Sequence, residues 1–278
     1  MLFRVKVFRP AQSSIWDGAF SPSDELRRAL KLKPTSRIRR GVAWHIGNIT
    51  AINDAGLYLR IGKKSRRTLP MLDEKTGDFS EQELSNAPYT HVLVDWNLEL
   101  VAIARNQQLS PTPSGIARRL QDGLNDSAVA ESRPITFRVS AIKNPDEFIG
   151  ILDSAFSIKS FSFSFTRKNL FDVQKDFVEP LERIVDEAHA ADGKVTLKGE
   201  ELASKPLREI AASAAATGDD ASARVQLAPG AKTQTRSLHG DASTISVDDL
   251  DSDSNRTEAL RKARSEYKRI RGSGGEAA

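Results

Sequence analysis

"THVLVDWNLELVAIARN", residues 90–106, reads as two apolar runs, His91–Val94 and Leu100–Ala104, on either side of "DWNLE". Both runs are rich in aliphatic and β-branched side chains, and the Asp and Asn between them bond their local backbone, so the stretch predicts two strands and a tight turn. Asp95 and Glu99 then flank a loop and face water. Two carboxylates in an apolar run also occur in metal-dependent nucleases, where a lysine beside the attacking water stands two positions past the second acid. Here that position is Val101. The turn is the better-supported reading, and a nuclease assembled from Asp95, Glu99 and His45 or His91 is its rival.

Working outward toward the N-terminus, "LFRVKVF" alternates as a strand, with Phe3, Val5 and Val7 on one face and Arg4 and Lys6 on the other. "SPSDELRRALKLK" predicts a short helix from about 23 to 32, capped by Ser23 with acids following. "GVAWHIGNITAINDAGLYLRIGKK" gives two apolar runs around Asn53, Asp54 and Gly56, a hairpin signal. "LDEKTGDFSEQELSNAP" reads as a polar loop. Toward the C-terminus, Pro111 and Pro113 end the strand, and Ile116, Leu120 and Leu124 share a helical face that Ser114 can cap. "DSAVAESRP" reads as a linker.

From 135 to 228 the order becomes strand, helix, strand, helix, strand, helix, strand, which predicts one sheet with helices packed on it. Its pieces are "ITFRVSAI"; a helix capped by Asn144 with Pro145 first and Phe148, Ile151, Leu152 and Ala155 buried; "FSFSFTRKN"; "DFVEPLERIVDEAHAA"; "KVTLKG"; "KPLREIAASAAATG"; and "ARVQLAP". Phe161, Phe163 and Phe165 fall on one face, as core residues or as a stacking platform for bases, core being the commoner outcome. The expected organisation is a mixed α+β fold: a β-rich region over 1–128, an α/β region over 133–240, and an acidic linker with a basic helix over 241–278. "TISVDDLDSDSN" is too poor in apolar residues to fold alone, so 241–278 reads as a tether outside the body, its last helix carrying a thin stripe of Leu260, the Arg264 stem, Tyr267 and Ile270 or Arg271.

The chemistry that can be excluded is broad. There are no cysteines, so thiolate ligands, disulfides and cysteine nucleophiles are absent. No two of the four histidines, His45, His91, His189 and His239, lie at metal-ligand spacing, and no phosphate-binding glycine loop or nucleophile elbow occurs. No cofactor or metal is therefore expected. Without a secretory or membrane-spanning run, the sequence reads as cytoplasmic with no membrane partner. Net charge is +4, but it is unevenly spread: "RRALKLKPTSRIRRG" and "IGKKSRR" are basic and "DASTISVDDLDSDS" is acidic.

The order of elements resembles uncharacterised prokaryotic protein families of about this size whose genes lie beside phage-defence and mobile-element genes. The resemblance rests on "HVLVDWNLELVAIARN" with "SPTPSGIARRL", on "ITFRVSAIKNPDEFIGILDSAFSIKSFSFSFTRKN", and on "LREIAASAAATGDDASARVQLAPG". It implies a defence or conflict setting and carries over no catalytic residue. The leading expectation is a non-catalytic component that associates with DNA or RNA. Arg37, Arg39, Arg40, Lys63, Lys64, Arg66 and Arg67 are the candidate phosphate contacts, with Trp44 and Tyr58 as stacking residues on the strands between them. A protein-binding adaptor or self-assembling subunit, using the acidic linker and terminal helix, is the third reading.

Overall fold

The computed structural model describes residues 1–8, 21–37, 42–53, 55–166, 184, 188, 190 and 192–272. The fold is mixed α+β. A seven-stranded sheet has the order β2-β3-β4-β7-β8-β1-β9, formed by β1 (Leu2–Phe8), β2 (Thr35–Arg37), β3 (Ala43–Asn53), β4 (Gly56–Lys63), β7 (Tyr89–Asp95), β8 (Leu100–Ile103) and β9 (Thr136–Ala141). A separate ribbon pairs β5 (Ser65–Leu72) with β6 (Phe79–Asn86), so the stretch read as a polar loop carries a strand. The second sheet runs β11-β10-β12-β13: β10 is Ser157–Thr166, β11 Asp192–Lys198, β12 Ala221–Gln226 and β13 Gln234–Ser237.

Both faces of the first sheet are covered, which is why β7 and β8 read as nearly unbroken apolar runs. On one face Phe3, Val5, Val7, Val92 and Val94 pack against α1 (Pro22–Lys31) and α2 (Pro113–Ala130), through Leu26, Leu30, Ile116, Leu120 and Leu124. On the other, Leu2, Tyr58, Leu93 and Leu100 join a core that includes α3 (Asp146–Ser154), α4 (Ser204–Thr217), α5 (Asp253–Arg271) and the inner face of the second sheet. Phe161, Phe163 and Phe165 belong to that core, so the phenylalanine row is interior and offers no platform for bases.

Several expectations are corrected. Ser21, not Ser23, caps α1: its Oγ accepts from the Asp24 amide, and Pro22 follows at the first helical position, where a missing amide costs nothing. α2 continues to Ala130 through residues read as linker, because Ala128 is buried and Ser127 Oγ bonds the Leu124 carbonyl. α3 opens at Asp146, one residue past Pro145, while Asn144 Oδ1 accepts from the Asp146 amide. The single sheet expected over 135–228 is divided: β9 pairs antiparallel with β1 in the first sheet, and β10, β11 and β12 pair antiparallel in the second. Helical alternation does not say which strand pairs with which. The helix expected over "DFVEPLERIVDEAHAA" lies outside the described residues apart from 184, 188 and 190, where the Ala188 amide donates to the Ile184 carbonyl; His189, Arg39 and Arg40 lie outside them altogether.

The tether expected over 241–278 is overturned across its described part, 241–272. Residue 243 is stitched into the body, its amide donating to the Ile142 carbonyl and its carbonyl accepting from the Leu2 amide. In α5, Ala259, Leu260, Ala263, Tyr267 and Ile270 are each 1% exposed. The thin stripe suffices because Ala259 and Ala263, outside the stripe as read from sequence, are buried beside it and bring the helix close to the sheet. Gly56 completes that approach: a Cβ there would collide with the Leu260 side chain.

Candidate nucleic-acid interface

The second sheet has one face in the core and one in solvent, and past the register shift between Ile158 and Ser160 alternation along β10, β11 and β12 sorts their residues between them. Three rows cross the outer face. Lys198, Ser160, Arg224 and Thr235 stand side by side in the first; Thr196, Ser162, Ser222 and Ser237 in the second; Lys194 and Ser164 in the third. Successive rows are two residues apart, about 6.7 Å. That is close to the phosphate step of an extended nucleic-acid strand. Lys194, Lys198 and Arg224 are exposed, and among the described residues none of the three forms an ion pair. The hydroxyls are linked, Ser162 Oγ to Thr196 Oγ1 at 2.9 Å, so they present a continuous polar strip.

At one end the face deepens into a groove of about 570 Å³ lined by Lys143, Ser164, Lys194, Ser222, Ser237 and His239. Asp220 closes it. Its carboxylate holds Lys143 Nζ at 2.7 Å, and its amide and carbonyl both bond Ser164 Oγ. Asp192 stands beyond the three rows, opposite Thr166, at this same end. At the other end exposed Glu200 and Glu201 follow Lys198, and the Glu200 carbonyl accepts from Ser157 Oγ and Lys159 Nζ, so the cations and hydroxyls fill the middle of the face between the two.

The residues singled out from sequence are distributed differently. Arg37, Lys63, Lys64, Arg66 and Arg67 do gather at one corner of the first sheet: Arg37 pairs with Ala43, Trp44 with Lys63, and the ribbon starts at Ser65. The stacking residues between them are not available. Trp44 is 5% and Tyr58 2% exposed, and they belong to the cores on opposite faces of the sheet. Lys63 Nζ bonds the Leu109 carbonyl and lies over the Trp44 ring. The Tyr58 hydroxyl accepts from Arg60 Nε at 2.7 Å and lies 2.9 Å from His91 Nδ1, while Arg256 covers its ring. Burial, first of all, holds the His91 imidazole below its ordinary pKa. His45, at the edge, meets Thr35 Oγ1.

Asp95 and Glu99 do flank a turn, but they do not face water: each is 1% exposed. Asp95 Oδ1 accepts from the Leu98 amide within the turn, and Oδ2 pairs with Arg264 of α5. Glu99, in a left-handed conformation at φ 48°, faces Arg4 at 3.5 Å, and Arg4 also donates to the Tyr267 hydroxyl. Lys6 reaches Asp219 at 2.9 Å. The two carboxylates are thus counter-ions in a charged layer that fastens the C-terminal half to the first sheet. That position suits them poorly to an open metal site.

Sequence reasoning passed over Lys194, Lys198 and Arg224. The signal was present as the alternation of "FSFSF", "KVTLK" and "SARVQ", three segments that each put polar residues on the face opposite the apolar ones. The fold and this surface define an α+β protein with an open, cationic sheet face. No family model matches the chain, and no curated protein matches it. No helix among the described residues is long and apolar enough to cross a membrane.

Proposed function

We propose that the chain binds nucleic acid without catalysing a reaction on it, laying an extended strand across the outer face of the second sheet. The observation that carries this reading is the set of rows in which Lys194, Lys198 and Arg224 alternate with hydroxyls and, among the described residues, form no ion pair. Cations neutralise phosphates and release their counterions, and hydroxyls bond phosphate and sugar oxygens. With no aromatic side chain in these rows, recognition is of the backbone and tolerant of sequence. The resemblance in element order supports a defence or mobile-element setting for this activity.

Binding of single-stranded DNA or RNA is expected to weaken steeply with salt. Replacing Lys194, Lys198 and Arg224 by Ala removes three phosphate contacts, so the log–log salt slope should fall by about 2, at about 0.7 per contact on single strands. The basic corner at Lys64, Arg66 and Arg67 is the competing location, and the same substitutions made there should leave the slope unchanged. A wild-type chain that binds no DNA or RNA at low salt, or a slope that responds only to the corner, overturns the proposal.

A further inference from the structure

The β5–β6 ribbon pairs eight residues from each strand, Ser65 with Asn86 through Leu72 with Phe79, and among the described residues neither strand pairs with another. Every described side chain from Thr68 to Ala87 is exposed except that of Leu69, which is half-buried. Phe79 is 80%, Leu72 53% and Met71 46% exposed. An isolated two-stranded hairpin is marginal in water and needs a further surface to pack on. Large apolar side chains clustered at its tip mark an interaction site.

Charge selects the occupant. Between 65 and 86 the chain carries Asp73, Glu74, Asp78, Glu81 and Glu83 against Arg66, Arg67 and Lys75, and beyond the basal arginines the acids outnumber the one lysine, so the apolar tip disfavours a phosphate backbone. Its charge is also polar along its length. The tip holds Asp73, Glu74 and Asp78 against the single cation Lys75, whereas Lys64, Arg66 and Arg67 stand at the base, with Glu83 the one acid near them. A second ribbon of the same kind, reversed in direction, matches both ends at once. Tip acids meet basal cations twice, as an isologous two-fold contact requires. Pro70 has no amide hydrogen to offer along the edge of β5, which disfavours pairing through that edge and favours packing through a face.

We infer that the ribbon is a self-association element: two copies of the chain pack their ribbons antiparallel, each apolar tip lying on the basic base of the other. This surface is distinct from the second-sheet face and is tested without nucleic acid, so failure of either leaves the other standing.

Sedimentation velocity on the full chain should show a dimer that dissociates on dilution. Asp73→Lys with Glu74→Lys, or Lys64→Glu with Arg66→Glu, should each give monomer at concentrations where the wild type is dimeric; all four together should restore the dimer. These positions lie on a separate ribbon, and far-ultraviolet circular dichroism identical to wild type confirms that the fold is retained. Because the chain has no cysteine, single thiols report geometry directly. Mixed E74C and K64C chains should form a disulfide-linked heterodimer in preference to either homodimer. A monomeric wild type, a charge reversal that is not rescued by its complement, or preferential linkage of E74C to E74C overturns the inference.

Discussion

Glu99 shows how far one side chain's environment can depart from what its neighbours in sequence imply. In a turn exposed to water its replacement would shift stability by no more than about 0.5 kcal/mol. Buried against Arg4, each side chain 1% exposed, it is the counter-ion of a guanidinium that has no route back to solvent. Removing one member of a buried pair costs about 3–5 kcal/mol, so Glu99→Ala is expected to destabilise by that amount in urea denaturation; a loss under about 1 kcal/mol would contradict the pairing. His91 yields a second test. Its pKa is lowered in the folded state, chiefly by burial, so as pH falls the unfolded chain takes up the proton first. Stability therefore declines as pH drops through the unfolded value of about 6.5 and levels off below the folded one. Comparing denaturation at about pH 7.5 and about pH 5.5 should show this decline in the wild type and less of it in His91→Gln, whose amide keeps a partner for Tyr58 but does not titrate. Equal slopes in the two proteins would show that His91 is not the titrating group.

At the scale of elements, what could be read in the sequence follows from how each element meets water. β1, β7, β8, β10 and β12 were legible because alternation or an unbroken apolar run is a local property. Leu260, Tyr267 and Ile270 were likewise legible as a stripe. Their destination was not: three apolar residues on a helix of net positive charge look insufficient until Gly56, Ala259 and Ala263 are seen to bring the helix onto the sheet. The pairing of β9 with β1 escaped for a related reason, since a partner more than a hundred residues away leaves no trace in local periodicity. The same holds for the site. Cations alternating with hydroxyls were visible in "KVTLK" and "SARVQ", but only the register that sets Lys198 and Arg224 on either side of Ser160 makes them a surface. Trp44 and Tyr58 misled because an aromatic residue beside a basic cluster suggests stacking, whereas tertiary packing buried both.

At the scale of the whole molecule, the chain crosses between its halves repeatedly, so they are not independent. β9 extends the first sheet after α2, and residue 243 bonds to residues 2 and 142. α5 then lays Leu260 and Tyr267 in the core shared by both sheets while Arg264 and Tyr267 meet Asp95 and Arg4 beneath it. A helix so placed serves as a wall common to both halves. Ending the chain after Ser252 would expose Leu93, Leu100 and α4 together and leave Arg4, Asp95 and Glu99 without their cover. The expected result is loss of cooperative folding in both halves. With Trp16 replaced by Phe, so that fluorescence comes from Trp44 and Trp96 in the core of the first sheet, the full-length chain should unfold in one transition, the fluorescence coinciding with the far-ultraviolet signal of the entire backbone. In the shortened chain that shared transition should broaden and fall by well over the few degrees that a change of about 1 kcal/mol produces in a domain of this size. A truncated protein with an unchanged midpoint would return α5 to the status of an appendage.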